Sequence, residues 1–141
     1  MMEKVAAYIT WGDRLLVFRE PRYPESGVQV PGGTVEEDEP PGEAVLREAI
    51  EETGLTGLRI KKYLGSGVYD FRHLGYGVFR RHFYHLEFLG EAPDRWISYE
   101  ETPSDDTPSP IELEFYWIDL ADGGAFLVGE QSDYISEICL R

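Results

Sequence analysis

Cysteine is nearly absent: Cys139 is the one thiol in 141 residues. No internal disulfide and no thiolate-rich zinc site can therefore be built, and a reducing compartment fits. Basic residues are also scarce, 13 Lys and Arg against 27 Asp and Glu, for a net charge of −14. That deficit argues against a sequence-independent nucleic-acid binder, which needs a broad cationic surface to release counterions, and against docking on anionic membrane. No run approaches the ~20 apolar residues of a membrane span. Met1-Met2-Glu3-Lys4-Val5 leads into a short apolar run that Trp11-Gly12-Asp13-Arg14 ends, which does not resemble a signal peptide. These absences predict a soluble, cytoplasmic protein. What is present is enough for one packed core: 42% of residues are hydrophobic and 13% aromatic, with no repeat and no linker. The expectation is a single domain over residues 1–141.

Val5 to Thr10 and Leu15 to Arg19 read as two strands joined by a tight turn containing Gly12 and Asp13. Val28 to Val30 reads as a short strand stopped by Pro31-Gly32-Gly33. A helix is expected from about Glu43 to Thr53, with prolines before it and Gly54 at its C-cap. Leu58 to Leu64, Gly67 to Phe71, Gly77 to Leu89 and Glu112 to Leu120 are strand-like. The proline-rich stretch Pro93 to Pro110 reads as a long surface loop, and Gln131 to Leu140 as a closing helix with Tyr134, Ile135 and Ile138 inward.

The chemistry is concentrated in residues 32 to 55. At 100° per residue, Leu46, Ala49, Ile50 and Thr53 share one helix face, with Glu48, Glu51 and Glu52 on the opposite arc. Glu48 and Glu52 are i, i+4 neighbours, a like-charge pair that costs a helix roughly 0.2–0.5 kcal/mol unless a cation lies between them. Arg47 can reach Glu51 one turn on. Hard carboxylate oxygens of this kind suit Mg²⁺ or Mn²⁺. An amphipathic helix with a merely solvated acidic face would give the same three glutamates, so the surrounding spacing decides.

That spacing is Gly33, five residues, Glu39, seven residues, then Arg47-Glu48-Ala49-Ile50-Glu51-Glu52-Thr53-Gly54-Leu55. It resembles the Nudix hydrolase signature, Gly-x5-Glu-x7-Arg-Glu-U-x-Glu-Glu-x-Gly-U with U apolar, at every defined position. The resemblance implies an α/β fold, a mixed β-sheet sandwiched between helices (α/β/α) with a catalytic loop–helix–loop. It implies hydrolysis of a pyrophosphate bond in a nucleoside diphosphate linked to another moiety, with Mg²⁺ or Mn²⁺ as cofactor. Carried over by position, Glu48 and Glu52 are the principal metal ligands, Glu51 assists and the Gly32 carbonyl is a backbone ligand. Arg47 orients a helix glutamate, and Glu39 supports the site or reaches metal through water. The general base varies in such enzymes, so Glu100, Glu101, Asp105, Asp106, Glu112 and Glu114 all stay open, with Glu112, Glu114 and Glu101 foremost.

Strand alternation sends Arg80 and His82 to one face of their strand and Arg81 to the other, and Arg80 with His82 is taken as the face that meets substrate phosphates. One of Tyr69, Phe71, Tyr76, Phe79, Phe83 and Tyr84 is a candidate to stack on a base, without a choice among them. The expected partner is a small nucleotide, with no nucleic-acid polymer and no membrane, and the protein a monomer or homodimer. A chain that starts at its first sheet strand favours a nucleoside triphosphate or another small nucleotide. ADP-ribose, nucleotide sugars and dinucleoside polyphosphates remain alternatives. A non-catalytic nucleotide-sensing module is disfavoured by the complete set of box glutamates. An isopentenyl diphosphate isomerase is disfavoured by the position of Cys139 and the short chain.

Overall fold

The computed structural model describes residues 1–100 and 110–140. Strands β1 (Met2–Trp11) and β2 (Arg14–Arg19) form a hairpin whose turn is made possible by the positive φ of Gly12, +63°. There follow β3 (Gly32–Thr34), helix α1 (Pro41–Thr53), β4 (Leu58–Asp70), β5 (Val78–Phe88), β6 (Arg95–Glu100), β7 (Ile111–Asp119) and the single turn α2 (Gly123–Phe126). The sheet runs β4-β5-β1-β2-β7-β6 and is mixed. β1 and β5 are parallel, with Met2 opposite Phe79 and Thr10 opposite Glu87, and the remaining pairs are antiparallel.

β1 forks along its second edge. Lys4, Val5 and Ala6 pair with β3, whereas Thr10 and Trp11 pair with β2. The chain between the two arms is tied down by Phe18 and Gln29, which exchange backbone hydrogen bonds of 2.9 Å, and by the Ala7 N–H donating to the Pro31 carbonyl at 2.8 Å.

Alternation along β1 sends Val5, Ala7 and Ile9 to one side of the sheet and Ala6 and Tyr8 to the other, which gives two cores. On the first side α1 packs Ala44, Val45 and Ala49 against the odd residues of β1, Leu86 of β5 and Leu113 and Phe115 of β7. On the second, Phe83, Leu15 and Val17 are covered by Leu127, Tyr134, Ile135 and Ile138 from the chain's end. Gly54, at φ +74°, closes α1 by donating its N–H to the Ile50 carbonyl. Trp96 of β6 satisfies a carbonyl left open at that end, its indole N–H reaching the Thr53 oxygen at 3.0 Å.

The expected α/β architecture is present, and several elements differ from the sequence reading. The outer layer on the second side is α2 with short 3₁₀ turns, not a closing helix, although Tyr134, Ile135 and Ile138 do face inward. The backbone bonds there are of the i to i−3 kind, the Asp133 N–H donating to the Glu130 carbonyl and the Glu137 N–H to that of Tyr134, and do not continue as an α-helix. Pro93 to Pro110 is not all loop, since β6 lies inside it and pairs with β7. Val28 and Gln29 make only isolated bridges, and the strand belongs to Gly32–Thr34. The two expected strands between Leu58 and Phe71 are one, β4, with register shifts after Ile60 and Tyr63.

Candidate active site

The glycines before α1 are fixed by what lies on them. A Cβ at Gly32 would run into the Val5 carbonyl, and one at Gly33 into the Glu48 carboxylate. The backbone of β3 is thereby pressed between β1 and the acidic face of α1. Glu52 is the inward carboxylate. It is only 6% exposed, and its Oε1 accepts the Gly32 N–H at 2.8 Å. The helix is therefore rotated relative to its apolar pattern: Glu52 is buried with Ala49 and Thr53, whereas Ile50 is 48% exposed. Hydrophobic periodicity fails here because a charged side chain takes a core-facing position.

Arg47 organises the other acids. Its Nε and Nη2 donate to the two oxygens of Glu39 at 2.8 and 3.0 Å, Nη1 reaches Glu48 Oε1 at 2.9 Å, and Nη2 donates to the Thr34 carbonyl at 3.2 Å. Its contact with Glu51 is longer, 3.3 Å. The Arg47 hydrogen bonds hold the Glu39 carboxyl below its ordinary value. Burial pushes Glu48 up against the opposing pull of Arg47. Glu52 is pushed furthest, first by burial and then by the charge of Glu100, with Gly32 pulling the other way.

Two cavities meet at this cluster. The inner one, about 370 Å³, is lined by Lys4, Arg81, Gln29, Gln131, Glu52 and Glu100 among others, and β1 and both arms of its fork, β2 through Phe18 and β3 through Gly32 and Gly33, contribute to it. The outer one, about 600 Å³, lies along Thr34, Arg47, Glu48, Glu51, Tyr99 and Glu100. Glu52 and Glu100 line both.

The donor set fits a hard divalent cation by its chemistry. Glu52 and Glu48 present carboxylate oxygens one helical turn apart, and Glu48 Oε2 makes no hydrogen bond among the described residues. The clustered charges of Glu48, Glu51, Glu52 and Glu100 are of the kind a cation relieves. As they stand, no three acidic or histidine side chains among the described residues enclose an ion position.

The structure brings Glu39, Arg47, Glu48, Glu51, Glu52 and Gly32 together as the spacing required. It does not bring Arg80 and His82 there. Both face Glu3, His82 Nε2 at 2.8 Å and Arg80 Nε at 3.9 Å, and neither lines either cavity. The cation on the cavity side of that strand is Arg81. It is ion-paired with Glu130, its guanidinium lies 4.9 Å from the Phe79 ring centroid, and its buried Nε has no partner among the described residues. Alternation had separated Arg81 from its neighbours; the sequence lacked any sign of which face held the cavity. Glu114 is spent on Arg19 and Arg95, at 2.5 and 3.0 Å, and lines neither cavity; nor does Glu112. Glu101, Asp105 and Asp106 lie outside the described residues. None of the six aromatics offered for stacking lines either cavity; Phe18 lines the inner one.

The model of the NUDIX domain matches residues 2–134. The chain belongs to the Nudix family. Over 54 residues, 38% of this chain, it is 41% identical to diphosphoinositol polyphosphate phosphohydrolase 3-beta of Bos taurus, and the match spans 32% of that relative's length. Among solved structures it resembles the E. coli dihydroneopterin triphosphate pyrophosphohydrolase, with TM-score 0.71, 19% identity and coverage of 96% and 93% of the two chains. The MutT NUDIX hydrolase from Burkholderia pseudomallei gives TM-score 0.67 and 23% identity, covering 98% of each chain. A C. elegans Ap4A hydrolase gives 0.68 and 16%, covering 97% and 94%. At these identities the structures speak for the fold.

Proposed function

We propose that the protein is a divalent-metal-dependent pyrophosphohydrolase acting on a nucleoside triphosphate or another small nucleotide. The observation that carries this reading is the buried Glu52 carboxylate, seated on the Gly32 N–H beside Glu48 and opening into a cavity that also holds Lys4 and Arg81. Glu48, Glu52 and the Gly32 carbonyl would hold Mg²⁺ or Mn²⁺, with Glu51 beside them. That ion supplies positive charge against the diphosphate and a field that makes water a better nucleophile. Arg47 keeps Glu48 from swinging away and is itself held by Glu39. Arg81 and Lys4 attract the phosphates. Glu100, at the seam of the two cavities, is the acid best placed among the described residues to take a proton from attacking water.

Charge argues against a highly phosphorylated inositol such as the bovine relative's name describes. Among the described residues, Lys4 and Arg81 are the cations lining the inner cavity and Arg47, already engaged by Glu39, the one lining the outer, too few for a ring bearing many phosphates. The test is a panel of nucleotides with Mg²⁺ or Mn²⁺, scored for phosphate, pyrophosphate and the paired nucleotide product. Turnover that survives excess chelator would overturn the metal-dependent reading.

A further inference from the structure

We propose that Phe79 is a positioning residue for the substrate's phosphates, its ring holding Lys4 and Arg81 together at the inner cavity without neutralising either. This deepens the pyrophosphohydrolase reading above and rests on its assignment of those two cations to the phosphates. Lys4 and Arg81 stand directly opposite each other in the parallel pairing of β1 with β5, and both line the inner cavity. Like charges at facing positions of a sheet repel and cost stability. A chain with 27 Asp and Glu but 13 Lys and Arg nonetheless places two of its bases there.

Phe79 is what the two cations share. Its ring centroid lies 5.3 Å from Lys4 Nζ and 4.9 Å from the Arg81 guanidinium carbon. Both distances fall inside the range at which the negative face of an aromatic ring attracts a cation. Phe79 is 7% exposed, so the attraction acts largely out of water. The ring is fixed by Tyr69 and Phe71, whose centroids lie 5.9 and 5.7 Å from it. Tyr69 is tied down in turn by its hydroxyl, which donates to Asp133 at 2.7 Å.

The kind of partner matters. A carboxylate beside each cation would form an ion pair and cancel the charge that a phosphate needs. Glu130 does this in part to Arg81, whose buried Nε has no hydrogen-bond partner among the described residues. A π face attracts a cation through its quadrupole and leaves the full positive charge for an incoming anion. Phe79 itself lines neither cavity, so it acts through the two cations alone. Losing its π face should weaken phosphate binding and leave the chemistry at Glu48 and Glu52 unchanged.

The experiment titrates inorganic pyrophosphate with Mg²⁺ into the full chain by calorimetry. The proteins compared are the wild type, Arg81→Gln, Phe79→Leu and a series carrying mono-, di- or trifluorophenylalanine at position 79. Fluorine drains charge from the face of the ring in steps while its shape barely changes, a gradient to which packing alone is indifferent. We expect Kd to rise with each fluorine, reaching about three- to tenfold for the trifluoro ring, with Phe79→Leu at least as weak and Arg81→Gln weakened about tenfold. Melting temperatures check that each protein is folded, and should Phe79→Leu unfold, the fluorinated series decides. A Kd that stays flat across the fluorinated series while Arg81→Gln binds weakly overturns the role of Phe79 and leaves the phosphate site standing. No measurable binding by the wild type, or wild-type affinity in Arg81→Gln, removes the phosphate reading of the cavity and this inference with it.

Discussion

Arg47 and Glu39 meet edge to edge, Nε to Oε2 at 2.8 Å and Nη2 to Oε1 at 3.0 Å, eight positions apart and across the loop that enters α1. The pair closes the acidic loop onto the helix and leaves the third guanidinium nitrogen for Glu48 and Glu51. Only a planar fork can serve all these acceptors at once. Arg47→Lys should therefore cost about 1–2 kcal/mol of stability and lower kcat more than it raises KM, because Glu48 loses its orientation. Urea denaturation beside steady-state kinetics checks this; a Lys variant with wild-type kcat would show that the fork is dispensable.

Glu52→Gln separates folding from function. In metal-free protein the substitution removes a charge held in the core beside like charges, so the melting temperature should rise, by about 1 kcal/mol or a few degrees. Turnover should fall by roughly a hundredfold or more, and the stabilisation that Mn²⁺ gives the wild type should vanish. A variant that loses both fold and activity would make Glu52 a structural residue instead.

For the substrate phosphates, three substitutions on one strand decide between its faces. Arg81→Gln is expected to raise KM about tenfold, the loss of one charge-assisted contact, with kcat within about threefold of wild type. Arg80→Gln and His82→Gln, whose parents sit on Glu3 away from both cavities, should leave KM unchanged. The reverse pattern would return the substrate to the face first expected from alternation.

His85 gives the fold a pH edge. It is 1% exposed, its Nε2 lies 2.7 Å from the Thr10 hydroxyl, and burial, helped by Lys61, holds its pKa below the ordinary histidine value. The unfolded chain takes up this proton near pH ~6.5 and the folded one resists it. Stability from this residue is thus complete above ~6.5 and lost as pH falls below it, by up to ~1.4 kcal/mol per unit until the folded value is reached. Denaturation curves between pH 7.5 and 5 should show that slope, and His85→Gln should flatten it. Parallel slopes would clear His85.

The box helix, its glycines and three strands were legible because local rules govern them: Arg47 to Thr53 must be helical for Glu48 and Glu52 to stack, β1 and β2 are continuous apolar runs on either side of Gly12, and β7 alternates buried apolar residues with more exposed ones. β6 was hidden because its outward residues include Ile97 and Tyr99, 42% and 52% exposed, so its pattern does not say which side is inside. The rotation of α1 was hidden for a related reason, since burial of Glu52 is a demand of the site and not of hydrophobicity. The cavity that Arg81 faces depends on the fork in β1, which no single stretch of sequence records.

The parallel pairing of β1 with β5 also sets an order of assembly. Met2 cannot find Phe79, nor Thr10 find Glu87, until well over half the chain has left the ribosome. α1 is synthesised between them, so its glutamates emerge before the surface that seats them. Closing so long a loop before any central contact rewards it makes the middle of the sheet the slow event in folding. Truncations ending before Phe88 should therefore yield neither sheet nor catalytic cradle, and a nascent chain stalled there would be a ready target for chaperones or proteases.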